Sequence, residues 1–542
     1  MKRIILGLGF VLISLNSIAQ DIYKVEAMSS HDLNGTARYV GMGGAMNALG
    51  ADLSTMSTNP AGIGMYRRND AALTLSMTHQ PNGGYFMDVN KNRASFDQAG
   101  IVIKTEVDGS SLKFMNFGFN YQKVKNFKNF IDLSNIPTYG LSQTRLMQNT
   151  AYQSGGFIEM EDAKGNPSDL IPPYTYLGYK TQMLDCQYDG SGKPYYDGTH
   201  ADEYNYKRVQ WGGIQVYDFN MAFNFDNQIY VGATFGYHDV NFHSGLRYEE
   251  YELQSGAVVN NYYNTNEESL KGFGYDFQAG VILRPILESP FRIGFAISTP
   301  TWYELTYNAF VSMDSPFNDP VTGATRTYSD GTVDNHDYKV RTPWKFNLSM
   351  ATTIGKKLAL DAELEYQDFS TSNVSYTDYD NYDPWSGTYG SQKDLGMREE
   401  IRNNMTSSIT ARVGAELNIS SNWALRAGYN FVSTPFKKDA YLNQLADGPS
   451  YYYQVNTDYV NLGDINRFTC GIGYRNKNFY ADVAYQYQRQ QGEVTPFQTQ
   501  FNDGAMIAAY PSLNLSGAVN SMLSEKVDLN RHNVMLTLGY KF

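Results

Sequence analysis

Residues 531–542, RHNVMLTLGYKF, read as a strand with two unlike faces. Val534, Leu536, Leu538, Tyr540 and Phe542 fall on one side and Met535, Thr537, Gly539 and Lys541 on the other, because successive side chains of an extended chain point to opposite faces. The pattern recurs upstream. Leu358, Leu360, Ala362, Leu364 and Tyr366 alternate with Ala359, Asp361, Glu363, Glu365 and Gln367. Ile409, Ala411, Val413, Ala415 and Leu417 alternate with Thr410, Arg412, Gly414, Glu416 and Asn418, and Phe273, Tyr275, Phe277, Ala279 and Val281 with Gly274, Asp276, Gln278, Gly280 and Ile282. A soluble sandwich would turn the polar face to water and the apolar face to a core. A membrane barrel would turn the apolar face to lipid and the polar face to a lumen.

The connections separate the two. Candidate strands fall near 70–79, 95–106, 112–131, 212–225, 228–251, 268–284, 290–312, 336–354, 357–377, 402–419, 422–436, 460–475, 478–490 and 529–542, fourteen in all. The joins at 107–111, 226–227, 285–289, 355–356, 420–421 and 476–477 are short; those at 80–94, 132–211, 252–267, 313–335, 378–401, 437–459 and 491–528 are long. Strict alternation of short and long is what periplasmic turns and external loops would give, and Greek-key sandwiches have no reason to sort loops by parity. The expected fold class is all-β: a transmembrane antiparallel β-barrel of about 14 strands. A terminal strand closing on Tyr540 and Phe542 resembles the assembly signal of bacterial outer-membrane barrels, which implies the barrel-assembly machinery as a partner.

Composition is compatible. The 542 residues hold 44 Tyr, 29 Phe and 48 Gly against 5 Trp, which suits strands and turns. A formal charge of −12 argues against nucleic acid as a partner. The mean hydropathy of −0.45 does not exclude a membrane, since a barrel strand needs only every second residue apolar. Cys186 and Cys470 lack zinc spacing and are too few for a disulfide framework. Lys2 and Arg3, the apolar run 4–13 and Ser17-Ile18-Ala19 read as a signal peptide over 1–19, with a mature start at Gln20. No later run reaches the ~18–20 residues of a spanning helix. The expected location is the cell outer membrane.

Between signal and first strand lies ARYVGMGGAMNALGADLSTMSTNPAGIGMYR, beginning at Ala37. It is too glycine-rich and polar for regular structure, and Asn59-Pro60 is a turn signal. Gly41-x-Gly43-Gly44 is not a dinucleotide loop, because the sixth position is Met46 and no strand precedes it. Ala37-Arg38, Gly41-x-Gly43-Gly44-Ala45, Ala48-Leu49, Asp52 and Asn59-Pro60-Ala61-Gly62 resemble the amino-terminal hatch of the FadL/TodX family of outer-membrane channels for long-chain fatty acids and aromatic hydrocarbons. The resemblance implies a fourteen-strand barrel with residues 20–68 folded back as a hatch in the lumen, residues 69–542 forming the wall, and ligands leaving sideways. Two features depart from the family: the longest loop is 132–211, and the third strand carries Gly118 but no proline at which a lateral gap would form.

Several residues stand out as candidates for function. Gly41, Gly43, Gly44, Asn59, Pro60, Ala61 and Gly62 would shape the hatch. Pro300 with Trp302 and Pro343 with Trp344 lie on adjacent strands near the expected outer boundary, where proline removes ladder bonds a closed barrel cannot hide; a lateral opening is expected there. Asp276, Asp361, Glu363, Glu365, Arg412, Glu416, Arg426 and Asp482 would face the lumen as a salt-bridge network holding the plug, with Arg412 or Arg426 as a candidate carboxylate binder. His238 and His243, five apart, would face opposite sides and share no metal. No G-x-S-x-G element appears, and neither enzyme activity, cofactor nor metal is expected. The expectation is an outer-membrane channel for passive uptake of small hydrophobic molecules, long-chain fatty acids or aromatic hydrocarbons, past the hatch and out laterally. Its expected partners are that ligand, outer-membrane lipid and lipopolysaccharide, and it would be monomeric. The alternatives are a porin or a ligand-specific receptor, for example for hemin, and a surface adhesion or structural barrel using Tyr-rich loops.

Overall fold

The computed structural model describes residues 22–108, 111–150, 160–161, 164–165, 171–188, 190, 192, 194–318, 325–355, 357–383, 385, 388–442, 456–500, 519–521 and 524–542. The signal-peptide reading over 1–19 lies outside them. The chain forms a closed antiparallel barrel of fourteen strands. We number them β1 (Asp70–His79), β2 (Asn92–Glu106), β3 (Leu112–Asn126), β4 (Glu203–Phe225), β5 (Ile229–Gln254), β6 (Ala257–Leu283), β7 (Arg292–Ser298 and Trp302–Asn318), β8 (Thr325–Arg341 and Lys345–Ile354), β9 (Leu358–Asp368 and Asn373–Asp383), β10 (Ser407–Asn418), β11 (Trp423–Val432), β12 (Tyr459–Asn476), β13 (Phe479–Thr495) and β14 (Arg531–Lys541). The cylinder closes where β14 pairs with β1, from Asp70 opposite Lys541 to His79 opposite His532. All fourteen expected strands are present. The inner turns are tight: Asp226 and Asn227 both take positive φ, 50° and 56°, as a two-residue hairpin requires.

The distribution of polarity settles which side of the wall meets lipid. On β9, Leu364 is 55% exposed while its wall neighbours Asp361 and Glu363 are 3% exposed. Leu73, Leu75 and Met77 on β1 and Phe219, Phe235 and Phe277 on β4–β6 likewise stand outward, and Thr74, Thr537, Asn116 and Asn120 are buried inside. This inverts a soluble protein and is the arrangement of a barrel in a bilayer. No described helix is long and apolar enough to cross a membrane.

Outside the membrane several expectations need correction. The span 252–267 is not an irregular loop, and within 313–335 strand runs on to Asn318 and resumes from Thr325. β5 and β6 run 26 and 27 residues and meet in a turn at Ser255–Gly256, both with positive φ. At ~3.3 Å per residue they reach roughly 85 Å, far beyond the span of about 9–11 residues that a bilayer needs. The alternation simply continues, with Tyr262, Asn264 and Asn266 inward and buried. The expected third strand, 112–131, is two strands: β3 bulges at Lys123/Lys125, and Asn129–Pro137 then pairs separately with β4. The tenth starts at Ser407 because residues Leu395–Asn404 form a helix capped by Asp394.

Above the membrane the interior is a hydrophobic core. Tyr204, Tyr206, Tyr248, Tyr262, Tyr303 and Tyr307 project inward from β4–β7 and are fully buried with Met397, Ile401 and Phe497. Helices α1 (Ile22–Ser29), α2 (Ala37–Gly41), α3 (Gln143–Thr150), α4 (Pro173–Lys180) and α5 (Leu395–Asn404) follow in chain order. Ile22 and Val25 of α1, Leu146 and Met147 of α3, Tyr174 and Leu177 of α4 and Met397 and Ile401 of α5 belong to this core.

Candidate functional site

Residues 22–66 run inside the cylinder and are almost wholly buried. Thr36 caps α2, accepting the Tyr39 N–H at 3.0 Å, and donates its hydroxyl to Asp52 at 2.9 Å. Asp52 in turn caps the short 3₁₀ turn Leu53–Ser57. Asn59 caps the next, Pro60–Met65: its Oδ1 accepts the Ala61 N–H at 3.3 Å, its Nδ2 donates to Asn47 O at 3.2 Å, and Pro60 occupies the first helical position, where no N–H is needed. Ala61 and Gly62 continue that turn, Gly62 lying against Thr55. Gly41 lies on Arg426 and Gly471 of the wall, and Gly44, with φ 81°, on Leu33. Gly43 has φ 67°, and a Cβ there would sit 2.8 Å from the backbone N of Tyr429.

The wall makes matching concessions. Gly428 lies on Gly43, Gly414 on Met42, Gly232 on Pro60 and Gly280 on Asn59, each so close that a Cβ would overlap the inner segment. These inward glycines carry a sequence signal, a missing side chain on the polar face at one depth of several strands, but nothing in the sequence says what lies against them.

The lumen charges all face inward and are mostly consumed. Glu363 Oε1 accepts the N–H groups of Met46 and Asn47, each at 2.6 Å, and Asp361 Oδ2 those of Ala48 and Leu49 at 3.2 and 2.9 Å. Arg38 meets Glu416 at 2.8 Å. Arg426 is shared between Glu416 at 2.7 Å and Asp482 at 2.6 Å, and Arg412 between Glu363 at 3.2 Å and Glu365 at 3.0 Å. Wall carboxylates thus satisfy N–H groups of the inner segment that would otherwise be orphaned in a buried place. Arg426 meets two carboxylates, and its Nη2 is buried without a hydrogen-bond partner.

Above this contact lies a chamber of about 200 Å³. Tyr23, Ala27, Phe127, Phe242 and Phe436 supply its apolar surface. Its charged lining is unbalanced: Lys125, Arg208, Lys345, Arg412, Arg467 and Arg531 against Glu26, Asp32, Asp276 and Glu365. Lys345 Nζ lies 3.1 Å from His31 Nε2. The Nε of Arg531 is buried without a hydrogen-bond partner. The sequence reading missed Lys345, Arg467 and Arg531; Arg531 and Arg467 alternate with outward residues and could have been assigned inward by parity.

Pro300 and Pro343 sit side by side where both strands break. β7 is interrupted between Ser298 and Trp302 and β8 between Arg341 and Lys345, and β9 takes a 3₁₀ turn, Phe369–Thr371, at the same level. Two bonds bridge the gap between β7 and β8: Thr301 N–H to Thr342 Oγ1 at 2.8 Å and Thr342 N–H to Thr301 O at 3.1 Å. Trp344 is exposed on the outer face and Trp302 packs on Tyr275, with ring centroids 5.6 Å apart. Two residues beyond Trp302 the outer face turns charged, at the Glu304–Lys339 pair, so the break marks the outer edge of the apolar belt. At the opposite end of the barrel Tyr540 and Phe542 are exposed and stacked, centroids 6.3 Å apart. His238 faces in and His243 out, as their spacing requires.

Fold and interior define a transmembrane β-barrel whose lumen is filled by its own amino-terminal segment. No known protein family matches the sequence, and no curated protein matches it. The structure is similar to a FadL homologue of Pseudomonas aeruginosa, 11% identical, with a TM-score of 0.48 over 95% of this chain and 100% of that one. It is also similar to the toluene transporters TbuX of Ralstonia pickettii, 13% identical, TM-score 0.45 over 94% and 99% of the two chains, and TodX of Pseudomonas putida, 11% identical, TM-score 0.45 over 95% and 100%.

Proposed function

We propose that this barrel is an outer-membrane channel for passive uptake of small hydrophobic molecules, with residues 20–68 as its hatch. The observation that carries the reading is the chamber: a partly apolar space beside a hydrogen-bonded plug and an apolar core. A general porin needs a continuous water path, and a lumen filled to this extent does not offer one. An apolar solute gains instead from a route that keeps it out of water. The surplus of cations over carboxylates favours solutes with an acidic head, such as long-chain fatty acids, over neutral aromatic hydrocarbons.

The exit we propose is the break at Pro300 and Pro343. Ala296, Ser298, Lys345 and Asn347 line the chamber just below it. On the lipid side Ile297, Thr299 and Trp344 join Phe219, Phe235 and Phe277 in a trough of about 750 Å³. One strand thickness separates the two. A photoreactive long-chain fatty acid should label the chamber and the Trp344 trough, and the protein should conduct ions poorly in planar bilayers. Large steady conductance, or labelling confined to other parts of the wall, would dismiss the reading.

A further inference from the structure

We propose that the rim of the barrel at its short turns is a docking surface for the headgroups of anionic phospholipids in the leaflet on that side. The chain as a whole is acidic, with 43 Lys and Arg against 55 Asp and Glu. This end reverses the balance. The described residues of 67–70, 104–113, 226–227, 284–292, 355–357, 420–422, 475–477 and 541–542 carry ten basic side chains and five acidic ones. Three of the acids already have a cation: Glu106 meets Lys104 at 3.1 Å, Asp226 meets Lys113 at 3.5 Å and Asp70 meets Lys541 at 3.6 Å. Only Asp108 and Glu288 remain. Among the described residues Arg67, Arg68, Arg284, Lys357 and Lys477 have no carboxylate partner. The three arginines bond neutral groups: Arg67 donates to Asn227 Oδ1 and Arg68 to Asn478 Oδ1, each at 2.7 Å, and Arg284 to Ser289 O at 2.8 Å. Such bonds hold a guanidinium in place and leave its charge uncompensated.

Charge alone would suit water as well as lipid. Here apolar side chains stand between the cations. Ile286 and Leu287 follow Arg284 in one turn and are 57% and 55% exposed, and Ile354, three residues before Lys357, is 56% exposed. Phe479, two residues after Lys477, is exposed, as are Tyr540 and Phe542. The Arg67 guanidinium lies over the Phe114 ring, 4.5 Å from its centre. At a membrane interface the apolar parts enter the headgroup boundary while long basic side chains reach the phosphates. An acidic protein would call for the cations but not for this apolar fringe. The cations also circle the mouth. Arg67 and Arg68 precede β1, Arg284 lies between β6 and β7, Lys357 between β8 and β9, and Lys477 between β12 and β13. That spacing fits a ring of separate headgroups. At the far end of the barrel the outward cations have partners: Lys339 meets Glu304 at 2.9 Å, Arg247 meets Glu249 at 2.6 Å and Lys207 meets Asp132 at 3.3 Å.

A basic side chain at an anionic surface is worth about fivefold in association. The test places the full chain in phosphatidylcholine bilayers with spin-labelled phosphatidylglycerol or phosphatidylcholine. Electron spin resonance reads the fraction of label immobilised at the barrel. No solute is present, so the outcome is independent of what the channel carries. Averaged over the whole perimeter, phosphatidylglycerol should be favoured by about threefold or more, and the preference should fade in ~1 M salt, where the screening length is about 3 Å. Arg284→Gln with Lys357→Gln and Lys477→Asn should remove most of the preference. Lys207→Gln with Arg247→Gln and Lys339→Gln, the same change of charge at the far end, should leave most of it. Where the first variant does not fold, Lys357→Gln with Lys477→Asn serves, since neither side chain bonds to another described residue. Equal association of the two lipids overturns the proposal and leaves the rim to an acidic protein. So does a preference that survives the rim variant, or one that falls equally in both variants.

Discussion

The lower and upper halves of this barrel are filled by opposite chemistries. Within the membrane the interior is polar: Glu363, Asp361 and Glu416 reach the inner segment through charge-assisted bonds while Leu364 and Val413 face lipid. Beyond the membrane the interior is apolar: tyrosines of β4–β7 pack on α1, α4 and α5, and the outer face carries charge, as at the Glu304–Lys339 and Arg247–Glu249 pairs. The same period-2 alternation runs through both, with its sense reversed as the surroundings change from hydrocarbon to water. A strand keeps the residues it needs on the side its solvent dictates.

The largest expected effect falls on the polar half. Glu363→Ala strands the Met46 and Asn47 N–H groups and removes one of two carboxylates from Arg412, all buried. Breaking such a pair costs about 3–5 kcal/mol, read from urea unfolding in lipid, and should raise ion conductance by loosening the plug. Next comes the lipid face one residue away. Leu364→Arg near the middle of the span should cost about 2–4 kcal/mol, whereas an arginine on the outer face of β7 above Trp302 should cost almost nothing. Equal losses at both places would erase the boundary between the halves.

The fourteen strands were legible because alternation and turn chemistry are local. What lay beyond that was legible only in part. The extension of β5 and β6 was missed because an alternating stretch rich in Tyr and Asn, such as 260–266, reads as a recognition loop when a strand is assumed to stop at the lipid belt. Glu363 could be placed in the lumen by parity, but its partners Met46 and Asn47 lie more than 300 residues away, and no spacing rule joins them. Pro300 and Pro343 were assigned to one level by counting residues from the inner turns, and that arithmetic is sound because strand rise is constant.

A pH dependence should appear in the apolar half at Glu250, whose hydrogen-bond donors there are neutral. Glu250 lies 21 residues beyond the start of β5, above the membrane, and is buried among hydroxyls and a backbone N–H: Ser142 at 2.5 Å, Tyr248 at 2.7 Å and the Gln143 N–H at 2.7 Å. Burial pushes its carboxyl up to about 7 despite those bonds. A raised carboxyl means the closed cap holds its proton more tightly than the open one. The stabilisation is complete below the ordinary pKa near 4.5, is lost as pH rises through about 7, and amounts to about 3 kcal/mol. Protection factors of residues 138–150, the exchange rates corrected for intrinsic pH dependence, should therefore be larger at pH 5 than at pH 8, and Glu250→Gln should flatten the difference.

Asn59→Ala makes the smallest change and the sharpest comparison. It removes one cap and the bond to Asn47 O, for which about 1 kcal/mol is expected in unfolding, well below the Glu363 variant. Yet Asn59 lies against Gly280 of the wall, so its loss also opens space where plug and barrel touch. Were the lower half held mainly by shape, that gap would raise ion conductance as much as Glu363→Ala does. If charge-assisted bonds hold it, as the paired geometry of Glu363, Asp361 and Glu416 indicates, conductance in Asn59→Ala should stay near the wild-type level while stability falls slightly.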